Sequence, residues 1–265
     1  MMIMNLMKAD LQRMLRSKGF YIWLLIFTIY YASQLIGMNT SATSGETLYT
    51  MDLLGLTQIN GSIMPQIFMS DILTNLYFLA PVILITINTD FSSGTIKNLL
   101  ASGIFRTSYY IAKLSLIFMV TILIQTINVV LPTIAMTVLQ GFGTDIHGDW
   151  LWQIFQMFIL QTFILIGVIS IGITLSFTVK KTVGALGSFI ALTTLPSLII
   201  FFLGLFEIMD ISIISRFEPI TLMNNIIHLT NWQSSEIFQT IIIGAIYLLV
   251  SITLGIGLFE KAEIK

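Results

Sequence analysis

Apolar positions along the chain come in long unbroken runs separated by short polar stretches, not in the alternation of a half-buried strand. Six runs approach the roughly 20 residues a helix needs to cross a hydrocarbon core of about 30 Å. They cover residues 20–37, 72–89, 111–139, 150–179, 183–206 and 237–259. The second is short and holds Pro81, the third holds Pro132 and the fifth Pro196. Membrane helices tolerate such prolines because neighbouring groups satisfy the freed backbone. Apart from Lys113, at the entry of the third, no run contains Asp, Glu, Lys or Arg. The pattern predicts an all-α integral membrane protein with six transmembrane helices, forming a single domain over residues 1–265. Basic residues precede the first run, as they would a secretory signal. That run is longer than a signal core and no convincing small-x-small cleavage site follows it, so it reads as a span.

Composition agrees. Only 9% of the 265 residues are charged, against about 25% in soluble domains, and the mean hydropathy is +0.93. That is too little charge to coat a surface facing water. A net charge of −1 provides no basic field for nucleic acid. The absence of Cys excludes disulfides and thiolate metal sites, and the two His are far apart in sequence. No phosphate-binding loop and no His-Glu-x-x-His motif occurs, and Gly187-Ser188 lacks the setting of a serine nucleophile. Gly141 to Asp145 approaches an intramembrane aspartyl-protease motif in composition but not in spacing. The expectation is no catalytic residue, no metal site and no cofactor in this chain.

Lys and Arg distribute unevenly among the connections. With the N-terminus inside, Lys8, Arg13, Arg16, Lys18, Lys97, Arg106, Lys113, Lys180, Lys181, Lys261 and Lys265 are cytoplasmic, and only Arg216 is external. Glu46, Asp52, Asp71, Asp145, Asp149, Glu207, Asp210, Glu218 and Glu236 then lie outside. Both termini are expected in the cytoplasm.

Two cytoplasmic pieces have structure of their own. In residues 1–19, Ile3, Leu6, Met7, Leu11, Met14 and Leu15 recur at helical spacing, with Lys8, Gln12, Arg13 and Arg16 on the other side. This predicts an interfacial helix whose Lys8, Arg13 and Arg16 meet anionic lipid, or a simple positive-inside anchor. After the second span, Ser92 or Ser93 is placed to cap a short helix that Gly103 ends, and Arg106-Thr107 opens the next helix.

Gly94-Thr95-Ile96-Lys97-Asn98-Leu99-Leu100-Ala101-Ser102-Gly103, followed by Arg106-Thr107 and Tyr110 to Leu114, resembles the coupling-helix signature of small type 2 ABC-transporter permeases. Asp90 corresponds to the acidic residue that usually precedes this run. The family plan is an N-terminal interfacial helix, six spans, and a partly re-entrant external hairpin between the fifth and sixth spans. The resemblance implies a permease of the bacterial cytoplasmic membrane that exports amphipathic peptides or lipid-like compounds, or confers immunity to antimicrobial peptides. It further implies two copies of a separate ABC ATPase, which would carry ATP and Mg, and a second permease, identical or related. Gly94, Thr95, Lys97, Asn98, Arg106 and Thr107 would form the ATPase-coupling interface, although Lys97 and Arg106 also read as ordinary positive-inside charges.

Residues 208–214 and 220–229, parted by Pro219, are too short to span and suit two amphipathic segments at the outer interface. Gln125, Asn128 and Gln161 are candidate pathway groups, but uncharged polar residues in spans often only bond helix to helix. Two other classes stay open: an ion-coupled secondary transporter, disfavoured because no span holds an ionisable residue away from its ends, and a non-transporting sensor or assembly subunit.

Overall fold

The computed structural model describes residues 2–44, 59–143, 148–206, 215, 217–228 and 234–262. The proposed external segment 208–214 lies outside them, as do Glu46, Asp52, Asp145, Glu207, Asp210, Arg216 and Lys265. Among the described residues every regular element is helical. In order these are α1 (Met2–Arg16), α2 (Lys18–Ser44), α3 (Met64–Ser70, entered through a 3₁₀ turn at Gly61–Ile63) and α4 (Ile72–Ile83). A π-helical stretch, Leu84–Asn88, leads into α5 (Thr89–Ser92) and α6 (Thr95–Ala101). Then follow α7 (Arg106–Gln140), α8 (Trp150–Val179), α9 (Thr182–Leu205), α10 (Pro219–His228) and α11 (Ser234–Lys261).

Five helices are long and apolar enough to cross a membrane, within Lys18–Thr43, Arg106–Gln140, Trp150–Val179, Thr182–Leu205 and Ser235–Lys261. The chain is thus a multi-pass membrane protein. The remaining expected span differs from the sequence reading. Over 72–89 there is no single straight helix; two helical stretches, Gly61–Ser70 and Thr74–Ser92, meet at 64°. Asp71 sits at the bend. A hydropathy reading takes that acid for the edge of a loop, although both flanking segments are apolar.

Polar side chains hold the bend. The carbonyls of Phe68 and Met69, near the end of α3, accept from Asn75 Nδ2 at 3.1 Å and from Gln161 Nε2 at 2.7 Å. Asn75 Oδ1 in turn accepts from Tyr31 Oη at 2.9 Å and Asn128 Nδ2 at 2.6 Å, and Gln125 Nε2 donates to Gln161 Oε1 at 3.0 Å. A broken helix inside a bilayer survives only if its freed backbone groups find such partners.

Contacts sort the helix ends into two groups. At one end Gly61 N donates to Gly141 O, Ser62 N to Phe142 O, Trp150 Nε1 to Ser62 O and Gln140 Nε2 to Asn39 Oδ1. At the other, α1 meets α5 and α7, and Arg106 reaches the last turn of α11. This second end carries Lys97, Arg106, Lys113, Lys180, Lys181 and Lys261, so the basic residues scattered along the chain converge in space.

Packing is tightest where α8 crosses α11. A Cβ on Gly167 would come within 3.1 Å of Gly244 O, and one on Gly255 within 2.2 Å of Tyr110 Oη and 2.8 Å of Thr174 Oγ1. Small residues let backbones approach in this way. Gly172 likewise faces Phe189, whereas a Cβ on Gly187 would have nothing within 4 Å. Gly255→Val is expected to cost about 1–3 kcal/mol through overpacking and Gly187→Val no more than about 0.5 kcal/mol. Thermal unfolding of the detergent-purified variants, followed by circular dichroism, checks the contrast.

Candidate functional site at the basic end

Four ionisable side chains from three elements meet beneath α6. Lys113 Nζ, on α7, lies 2.8 Å from Asp10 Oδ1 of α1 and 2.6 Å from Asp90 Oδ2 of α5. Arg13 pairs with Asp10 at 2.7 Å and also with Asp90. Lys113 Nζ further donates to Thr86 O at 2.8 Å, inside the π-helical stretch, and Tyr109 Oη donates to Asp90. Asp90 and Lys113 are each 0% exposed. Two carboxylates and two cations leave the cluster neutral, without which so much buried charge would be very costly.

The arrangement changes how α1 reads. Lys8 and Arg16 are exposed, as an interfacial helix requires, and Met14 is buried. Arg13 instead turns inward, with Asp10, toward the cluster. Burial pushes the Asp10 carboxyl above its ordinary range, against the pull of Lys113 and Arg13. For an acid raised in the folded state the charged form is the disfavoured one, so this cost is present at neutral pH and fades as pH falls toward the raised value. The pairing was not drawn from the sequence. Its one visible signal is that Lys113 is the single charge inside an apolar run, with acids at Asp10 and Asp90 available to neutralise it.

The short helix α6 is set on this base. Gly94, at its N-cap, has φ +70° and Gly103, just past its end, φ +90°, conformations that side-chain-bearing residues rarely adopt. Ile96 is buried and anchors it, whereas Lys97 and Asn98 point away and are exposed. Thr95 Oγ1 bonds Ser93 Oγ at 2.7 Å, and Thr107 is half-buried in the first turn of α7. Phe105, between α6 and α7, is 73% exposed, a large apolar side chain that the sequence reading passed over. Beside α6 a cavity of about 700 Å³ is lined by Asn88, Gly94, Lys97, Lys180 and Lys181, among others. The Asn88 amide is buried there with neither polar atom hydrogen-bonded among the described residues.

Arg106 has a different placement. Its Nη1 donates to the carbonyls of Phe259, Glu260 and Ala262 at 2.9, 2.7 and 2.8 Å, and its guanidinium lies over the Phe259 ring. These are the orphan carbonyls of α11, at the negative end of its dipole. Arg106 therefore caps α11. Gln125, Asn128 and Gln161 lie in the packed interior, bonded to other amides and to the α3 backbone.

Breaking the charge cluster has a predictable signature. Asp90→Asn or Lys113→Met, each leaving buried charge uncompensated, is expected to cost about 3–5 kcal/mol. Asp10→Asn is the mildest, because its charged form is already disfavoured. The Asp90→Asn/Lys113→Met double variant costs well under the sum of its singles, the coupling expected of contacting charges. A thermal double-mutant cycle on purified protein reads this, and simple additivity would remove the cluster as a unit.

No family model matches the chain, and no curated protein matches it.

Proposed function

We propose that this chain is the membrane subunit of an ATP-driven exporter, energised by a separate ATPase that docks on α6. One observation carries the reading. A short helix is anchored inward by Ile96, seated on a rigid charge cluster, and presents Lys97 and Asn98 outward beside an exposed Phe105 and a lysine-lined cavity. Such a surface suits a soluble partner with an acidic rim and an apolar socket for one ring. The resemblance of Gly94 to Lys113 to type 2 ABC permeases points the same way. On this reading the bent Gly61–Ser92 path counts as one span, giving six, and the basic end faces the cytoplasm by the positive-inside rule. Two permeases, identical or related, would assemble with two ATPase subunits binding ATP and Mg. Amphipathic peptides or lipid-like compounds would be the cargo, with antimicrobial-peptide immunity as one such role.

Asp71 supports a second reading. It lies at the break between two apolar helical stretches, Gly61–Ser70 and Thr74–Ser92, where its carbonyl accepts from Asn75 N at 3.1 Å. Ion-coupled transporters place ionisable groups at such breaks. Transport that survives ATP depletion and collapses with the proton gradient would favour that class.

The coupling surface makes a sharp distinction among basic-end residues. Lys97→Ala, Asn98→Ala and Phe105→Ala are expected to weaken association with the co-expressed ATPase of the same gene neighbourhood, Phe105→Ala by about tenfold. None should lower the unfolding temperature. Arg106→Ala should do the reverse, lowering thermal stability as the α11 cap is lost. Quantitative copurification and melting curves on the same preparations test both halves; a wild-type chain that neither copurifies with the ATPase nor stimulates it sinks the reading.

A further inference from the structure

The cavity of about 700 Å³ beside α6 is walled by three lysines from two distant stretches of sequence. Lys97 comes from α6, and Lys180 and Lys181 from the turn between α8 and α9. Its volume is in the range of sites for small organic groups. Lys97 and Lys181 are exposed and Lys180 is half-buried. Among the described residues Lys180 is the one non-glycine with a positive φ, +60°. A lysine therefore stands where glycine would be free of strain. Asp90 is the acid among the lining residues, and Lys113 and Arg13 already neutralise it.

Two further features supply hydrogen-bond donors for an anion. Lys181 is the N-cap of α9 and Thr182 its first residue; both line the cavity, and no side chain caps this end of the helix. Uncapped N–H groups at the positive end of a helix dipole suit a phosphate. At the cavity wall Asn88 is 2% exposed, and neither its Nδ2 nor its Oδ1 has a hydrogen-bond partner among the described residues. A buried amide without a partner within the chain is rare, and its Nδ2 is a donor for a bound oxyanion. The helix α9 is also long and apolar enough to cross a membrane, and its exposed Val183, Gly187 and Ile190 follow one another along one face. The cavity thus lies at the end of a lipid-facing surface, where headgroups gather.

We propose that this cavity binds a phosphate group, the chemistry shared by an anionic phospholipid headgroup and by free phosphate. Lys180 and Lys181 neutralise it, the first turn of α9 and the Asn88 amide donate to it, and Lys97 closes the α6 side. Val183 and Ile190 lead away from the site as a path for acyl chains, which favours the lipid. The site rests on these residues alone and stands whether or not an ATPase docks on α6.

The test reads the full chain by native mass spectrometry, after purification in detergent with equimolar dioleoyl phosphatidylglycerol and dioleoyl phosphatidylcholine. Wild type should retain phosphatidylglycerol about tenfold or more over phosphatidylcholine, and Lys180→Gln/Lys181→Gln should weaken that retention by about tenfold. Lys18→Gln/Lys261→Gln, which removes two exposed charges outside the cavity, should leave it unchanged. Asn88→Leu should weaken it severalfold while leaving the unliganded chain as stable or more so, since an unsatisfied buried amide is removed. A second arm titrates inorganic phosphate, against chloride at equal ionic strength, into the chain in pure phosphatidylcholine nanodiscs and follows thermal unfolding. Lipid retention without a phosphate effect places the headgroup in the site. A saturable rise in melting temperature without lipid retention places free phosphate there, and both together support the shared chemistry. The site is overturned if neither occurs, or if the folded lysine or Asn88 variants bind as wild type does. Equal weakening by Lys18→Gln/Lys261→Gln overturns it as well, because diffuse charge would then suffice.

Discussion

At the basic end, two carboxylates and two cations from three elements meet, with Asp90 and Lys113 fully buried and Arg13 partly exposed. Asp10 and Arg13 come from α1, Asp90 from the foot of the bent path, and Lys113 from the first turns of α7. Desolvating four charges is repaid only when the set is neutral and close to saturated with partners. That requirement fixes where α1 docks, how far the bent path descends, and the rotation of α7. It also explains the π-helical stretch: Lys113 takes the carbonyl of Thr86, while Thr86 Oγ1 turns back on Val82 and Ile83, so the local ladder opens around an inserted ammonium.

The middle of the bundle solves a different problem with neutral groups. A break after Ser70 frees carbonyls at Phe68 and Met69, and in lipid each unsatisfied group costs several kcal/mol. Asn75, Gln161, Gln125, Asn128 and Tyr31 supply a hydrogen-bonded web that makes the break permanent. These amides are the hinge pins of the bent path, and their burial follows from that duty. Asp71 is on the outer side of the same bend, half-exposed toward α2. The side chain of the acid is thus outside the web, at the turn of the main chain, bonded by the Tyr30 hydroxyl.

Much of this was legible in the residues and some was not, for definite reasons. Five crossing helices and the amphipathic α1 follow directly from hydropathy and period, because both depend only on neighbours in sequence. The α6 turn was readable in part: Gly103 ends the helix as expected, but the N-cap is Gly94 in a left-handed conformation, not Ser92 or Ser93. Asp71 divides its apolar stretch for any averaging window, so the helical segment Gly61–Ser70 before it was not joined to the one after it in the sequence reading. The contacts of Arg106 were hidden for another reason. At the head of α7 it reads as a surface charge, yet the groups it satisfies are the carbonyls of Phe259 to Ala262, brought beside it by the return of α11. Asp10 and Arg13, spaced three apart, look like one more exposed helical pair until Asp90 and Lys113 arrive from distant sequence.

These two networks share the bent path, and that is what gives α6 mechanical meaning in the proposed function. Asp90 immediately precedes the α6 turn and is bonded to α1 and α7, so α6 cannot shift without either carrying α1 and α7 along or separating buried charges. Arg106 extends the constraint to α11, which is packed along α8 through Gly167, Gly244 and Gly255. A displacement applied at Lys97 and Asn98 is therefore shared by most of the basic end. Along the bent path the helix ladder is interrupted at Asp71, where side chains hold the break. On the proposed reading, a push on α6 would be taken up there, at the junction of α3 and α4.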